Sequence, residues 1–387
     1  MNEERKQILQ MVESGKITVD EALKLMEAFE KTKQEPEQRS GHDQLGGPDS
    51  GTTINQEEVK SANEPSTFVN YDSTYSSTSS EQNSYKRHSF KDKFTDFIDS
   101  ALQKIKDVDL DFNFGTYLEV NHIFQHRDVF LSNIFLDISN GNIKIIPWEE
   151  QDVRIECNAK VYKENSVEDA KTYFMKNVRF SIDGESMKFS VEPKQIKMST
   201  MLYIPKSVYN EIVIRMFNGH VTGERLQVNK LKVNTANGNI DFTGIQGQDF
   251  EFETANGHIK LEDSFSQELE AETINGSITI RGAFEKIDLQ TFSSNIICKL
   301  LDSNSRGAFL NTKTGNIDLY LPVDLQVKGK IKSNIGGFKC ELNDMEILDE
   351  KKDVIQKELS FIANKEKAGN LYVEASSNAG SILVKNL

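Results

Sequence analysis

The sequence predicts a mainly β fold, a parallel β-solenoid built from about 19-residue coils, and three observations predict it. Thr235-Ala236-Asn237-Gly238, Thr254-Ala255-Asn256-Gly257 and Thr273-Ile274-Asn275-Gly276 recur at a constant interval. Each is followed by a period-two apolar run, Ile240 and Phe242, Ile259 and Leu261, Ile278 and Ile280, with Asp241, Lys260 and Thr279 between them. Each is also preceded by one: Leu231 and Val233, Phe250 and Phe252, Leu269 and Ala271. Alternation of this kind marks half-buried strands, and hairpins do not recur with constant phase, whereas stacked coils do.

The elements follow in order. Residues 1–32 are expected to form a helical hairpin: Ile8, Leu9, Met11 and Val12 make one apolar stripe, Ser14-Gly15 ends it, and Thr18 with Glu21 makes a capping box for a second helix. So small a unit buries little core, so it is expected to self-associate or dock on a partner. Residues 33–89 have the Ser-, Asn-, Gln- and Gly-rich composition of a disordered linker. In 90–106, Phe90, Phe94, Phe97, Ile98, Leu102 and Ile105 recur at helical spacing. The polar side mixes lysines with Asp92, Asp96 and Asp99, which favours a helix capping the solenoid over peripheral membrane contact.

The solenoid is expected to occupy 107–387. Asn140-Gly141 and Asn218-Gly219 read as early corners. Ser166–Lys176 reads as a short helix, and Asp183-Gly184 as the turn of a hairpin. Aligning Thr291 with the earlier threonines shortens one coil by a single residue, keeps Lys299 outside and turns Ile296, Cys298 and Leu300 inward. Gly315, Gly336 and Gly380 mark later corners. Residues 345–370 read as a charged, irregular excursion. The corners Asn218-Gly219, Asn237-Gly238, Asn256-Gly257, Asn275-Gly276 and Gly315 are expected to use the tolerance of Asn and Gly for positive φ.

Composition narrows function. A net charge of −14 argues against nucleic acid as a partner, and the second N-terminal helix, 19–30, has one Lys against four acidic residues. No apolar run long enough to span a membrane is present, and Met1–Lys6 shows no start of a secretory signal, so the expected address is the cytoplasm. Cell-surface association by a non-classical route is the alternative. Cys157, Cys298 and Cys340 fall in phase with inward aliphatics and are expected to be buried, inert thiols.

No motif of a phosphate loop, zinc protease or paired-cysteine centre occurs, so no catalytic residue, cofactor or metal site is expected. His220 and His258 lie two coils apart, too far to share an ion. The one constellation is acidic. Glu251, Glu270 and Asp288 form one outward column, and Glu253 and Glu272 its neighbour. They are expected to be solvated, and they are the candidate face for a cationic peptide, a protein partner or Ca²⁺.

The segment Glu3–Ala22, Glu-Glu-Arg-x-x-Ile-Leu-x-Met-Val-x-x-Gly-Lys-Ile-Thr-x-x-Glu-Ala, followed by a linker and Thr-x-Asn-Gly-x-Ile coils, resembles the YvlB/LiaX-type proteins of Bacillota, whose C-terminal module is a domain of unknown function called "putative adhesin". The resemblance implies a non-enzymatic role in the cell-envelope stress response to membrane-active antimicrobials. The competing expectations are an adhesin-like protein binding polysaccharide or peptide, a transcriptional role for residues 1–30, and a carbohydrate-active β-helix enzyme, which would need clustered carboxylates in a groove.

Overall fold

The structure, a computed structural model, describes residues 115–192, 195–353 and 356–387. The helical hairpin expected at 1–32, the linker at 33–89 and the capping helix at 90–106 lie outside them. The described residues are mainly β with one helix, and the coils predicted from the repeat are present.

Each coil runs through a longer strand, an Asn-Gly corner and a shorter strand. The central coils pair β7 (Val208–Asn218) with β8 (Val221–Glu224), and β9 (Gln227–Asn237) with β10 (Ile240–Thr243). They continue through β11 (Gln246–Asn256), β12 (Ile259–Asn275), β13 (Ile278–Ser293) and β14 (Ile296–Leu300) to β15 (Gly307–Thr314) and β16 (Ile317–Leu321). Longer strands stack in parallel as one ladder and shorter strands as another, with β12 and β13 long enough to serve both. The phase is as read: Leu231, Val233, Phe250 and Phe252 enter the core from one ladder, and Ile240, Phe242, Ile259 and Leu261 from the other. Phe242 and Phe252 stack across the interior at 5.5 Å. Each such side chain contributes about 1.5–3 kcal/mol of burial, shared between neighbours, so no coil is stable alone.

The corner motif has a division of labour. Thr254 and Thr273 are fully buried, and their hydroxyls donate to the Gly238 and Gly257 carbonyl oxygens of the preceding coil at 2.9 and 3.0 Å. Asn275, Asn256, Asn237 and Asn218 each donate an amide N–H to the Asn side chain of the adjacent coil, ending on Asn140, at 2.8–2.9 Å. The reason for glycine corrects the expectation at three of the five corners and bears it out at Gly219 and Gly315. None of these Asn residues has positive φ, nor do Gly238, Gly257 and Gly276. A β-carbon on Gly257 would sit 2.0 Å from the Gly238 carbonyl oxygen, so the glycines are needed because stacked corners approach too closely for any side chain. At Gly219 and Gly315 both reasons hold, with φ of 142° and 153°.

Positive φ also marks the second bend, at Arg225, Gly244 and Asp263, which recur with the period of the coils. The shortened coil lacks its counterpart. Leu261 pairs with Ile280 but Ser264 with Gly282, so the missing residue falls at that bend, and Ile296, Cys298 and Leu300 point inward as predicted.

The stacking order departs from chain order at both ends. β2 (Asn133–Trp148), an entire coil in one strand, lies between β7–β8 and the later pair β5 (Ser186–Val191) and β6 (Ile196–Pro205). At the other end β21 (Leu371–Ala379) and β22 (Ile382–Asn386) insert between β15–β16 and β17 (Val327–Ile335) with β18 (Phe338–Glu341). The first and last coils of the chain thus have neighbours on both sides, where they cannot fray singly.

Antiparallel strands cover the ends of the stack. β4 (Val178–Asp183) pairs with β5 across the turn at Gly184, as the Asp-Gly signal predicts, while β3 (Val153–Tyr162) and β1 (Tyr117–His126) extend from β6. Helix α1 (Val167–Asn177) forms where a short helix is expected; it is capped by Ser166, whose Oγ accepts from the Asp169 N–H at 3.1 Å, and it buries Ala170 and Phe174. At the opposite end β20 (Lys357–Ala363) pairs with β17, and β19 (Glu346–Lys352) with β20. This corrects the reading of 345–370 as irregular. Every residue of β19 is exposed, and Asp349 to Lys352 put charge on that edge, which discourages further strand pairing.

Candidate functional site

The register carries the acidic residues to the outer face of the longer-strand ladder. One column runs Lys232, Glu251, Glu270, Asp288, Phe309, Glu374 and Lys330, and the next Asn234, Glu253, Glu272 and Gln290. The predicted alignment of all five acids therefore holds. Successive members of a column lie about 4.8 Å apart, where like charges repel.

The expected solvation does not hold. Glu253 and Glu272 point away from the core yet are each only 3 % exposed, and Glu251, Glu270 and Asp288 are half-buried. The cause is the tight stack: coils stand about 4.8 Å apart, and Lys232 and Asn234 of the preceding coil reach over Glu251 and Glu253. Burial pushes Glu253 up to about 7, and the neighbouring Glu251 carboxylate adds to the rise while Lys232 opposes it. Lys232 pairs with Glu251, and Asn234 Nδ2 donates to Glu253. Asn234 is 6 % exposed and its Oδ1 has no hydrogen-bond partner. In the third outward column, Asp249 is raised by burial against the pull of Lys230.

Chemically, this is a strip where negative charge is costly and a cation laid along it would favour ionisation. Asn234 and Lys232 escaped the sequence reading, although carrying the repeat register one coil upstream of Glu251 and Glu253 reaches both.

The remaining predicted residues are structural. The Asn and Gly corners sit together on one edge of the stack, remote from the middle of the acidic strands. His220 Nδ1 accepts from the Asn239 N–H at 2.9 Å, and His258 Nε2 lies 2.9 Å from Asp241 Oδ1. Among the described residues no group of three or more His, Cys, Asp or Glu is placed to hold a metal ion. Cys157 and Cys298 are buried, and burial raises both thiols, Cys157 to about 12. Cys340, expected buried, is only partly so, because β18 is an edge strand paired with β22 alone; its thiol is raised to about 11.

Residues 131–385, which hold the stacked coils, match the model of one protein family, Toastrack DUF4097. The chain belongs to the Toastrack family. Ahead of its Toastrack domain, residues 3–34 match a SHOCT-like domain. The whole chain is 44 % identical over 385 residues to the uncharacterized protein YvlB of Bacillus subtilis (strain 168), covering 100 % of this chain and 99 % of that one. This establishes the YvlB-type relationship that Glu3–Ala22 and the coils suggest. Solved structures similar to this chain include a "putative adhesin" from Parabacteroides distasonis ATCC 8503, with TM-score 0.34 and 11 % identity, covering 69 % of this chain and 97 % of that one. A "putative lipid binding protein" from the same strain has TM-score 0.33 and 13 % identity, covering 69 % and 96 %.

Proposed function

We propose that this Toastrack protein acts by binding, as a non-enzymatic scaffold in the cell-envelope stress response, and that its acidic strip receives a cationic peptide or a basic segment of a partner protein. The observation that carries the reading is the buried carboxyl column: Glu253, held near pH 7 by burial and by Glu251, is a group whose charge a bound cation would stabilise. The regular spacing adds to it. Acidic groups repeating about every 4.8 Å nearly match the pitch of an α-helix, about 5.4 Å, so a helix lying along the stack axis would present one basic side chain per coil.

Titrating the protein with hexa-lysine at low salt tests this. The wild type is expected to bind, and replacement of Glu251, Glu253, Glu270 and Glu272 by Gln to abolish binding while leaving the circular dichroism spectrum unchanged. Equal binding by the quadruple variant would remove the acidic strip from the function.

A further inference from the structure

A cleft of about 720 Å³ opens on the same ladder, beyond the acidic strip, with Phe309 and Tyr372 in its lining. Its origin is a single residue. In the third outward column, Lys230, Asp249, Glu268, Lys286, Gly307, Tyr372 and Lys328 follow one another coil by coil, and only Gly307 has no side chain. Nothing in the backbone demands glycine there. Its φ is not positive, and a β-carbon would meet no backbone atom, only the edge of the Phe309 ring at 3.2 Å and Lys286 Cγ at 3.6 Å. The corner glycines are forced by stacked carbonyls; Gly307 is not, and its effect is to open a notch between Lys286 and Tyr372.

The walls of this notch are held by the ladder. The rings of Phe309 and Tyr372 lie 6.1 Å apart at 51°, and Tyr372 is 38 % exposed. Arg306 enters from the bend of an enlarged coil, the one that runs from Ile296 to Ile317. Its N–H donates to the Glu285 carbonyl oxygen at 2.7 Å, and its own carbonyl accepts from the Tyr372 N–H at 3.0 Å. Glu268 and Lys286 face each other at 3.5 Å on the rim.

We infer that this cleft is a binding site for a neutral, polyhydroxylated ligand, an oligosaccharide. Two angled aromatic faces suit the apolar C–H faces of sugar rings. Around them, Glu268, Glu285 and Glu374 offer acceptors while Arg306, Lys286 and the Gln267 amide offer donors, the mixture that vicinal hydroxyls satisfy. Three carboxylates against two cations disfavour an anion, and with Lys286 already engaged by Glu268 and Arg306 on the same lining the balance is too small to call for a strongly cationic guest. The volume falls within the range of small-molecule sites, about 300–1,000 Å³. This site adjoins the acidic strip, since Phe309 follows Asp288 in the same column, but it uses none of the strip's five carboxylates.

The test uses the full chain and isothermal titration with maltotriose, cellotriose and chitotriose, plus hexa-lysine as the competing guest. At least one trisaccharide is expected to bind. Gly307→Gln, which fills the notch, and Tyr372→Ala, which removes one wall while leaving the backbone intact, are each expected to weaken that binding about tenfold or more. If Gly307→Gln fails to fold, Tyr372→Ala decides. Failure of all three sugars to bind, sugar binding unchanged in the folded variants, or hexa-lysine binding lost on Tyr372→Ala would overturn the assignment. The Gln variants of the acidic strip should bind the same sugar normally, so the two readings fail independently.

Discussion

Replacing Glu253 by Gln is expected to stabilise the protein at pH 8 and to leave it unchanged at pH 4. Glu253 rises from an ordinary 4.5 to about 7 in the folded state. A carboxyl with a raised folded value gives stability that is fully present below the unfolded value. That stability is lost as pH rises through the folded one. The rise from 4.5 to about 7 corresponds to roughly 3 kcal/mol lost across that pH range. Gln keeps the oxygen that accepts from Asn234 Nδ2, and Gln290 already occupies this column two coils on. Denaturant unfolding at pH 4, 6 and 8, without cationic ligand, measures the effect. The variant should gain up to about 3 kcal/mol over the wild type at pH 8, with the gap closing toward pH 4. Parallel pH profiles for the two proteins would show that Glu253 is an ordinary solvated carboxylate and would refute the reasoning.

Other expectations follow from the corners and the thiols. Gly257→Ala places a methyl group where the Gly238 carbonyl oxygen stands 2.0 Å away, and should cost more than about 3 kcal/mol in unfolding experiments or prevent folding. Gly244→Ala, whose new β-carbon meets nothing closer than 3.8 Å, should cost only the strain of its φ of 65°, about 1 kcal/mol. Thr273→Val removes the hydroxyl that the buried Thr273 donates to the half-buried Gly257 carbonyl and should cost about 1–2 kcal/mol by the same measurement. In alkylation with iodoacetamide at pH 8, Cys340 should react first, and Cys157 and Cys298 only on unfolding; equal rates would contradict the edge position of β18.

The coils were legible because a strand ladder repeats its own chemistry. Thr273, Asn275 and Gly276 each perform one task at a fixed position, so the period survives in sequence, and the need to keep Lys299 outside marks the shortened coil. The order of the end coils was not legible. β2 and β21 carry the same inward alternation as any coil, and nothing in that alternation says which neighbour a coil will choose. The acids of the strip could be aligned from the register, but their burial could not. Glu253 and Glu270 both read as outward, while their exposure depends on how closely adjacent coils crowd each carboxyl. The notch at Gly307 was hidden for a related reason: a glycine in a repeat protein reads as a corner, and only the structure shows that this one sits mid-column.

The account stands most directly on where a cationic ligand lands. Backbone amide chemical-shift mapping with hexa-lysine at pH 8 is predicted to perturb β9, β11, β12 and β13 around Lys232, Glu251, Glu253, Glu270, Glu272 and Asp288. The shorter-strand face at Lys299 and Tyr320 should stay unmoved. Perturbations centred on that opposite face, or none on the acidic strip, would contradict it.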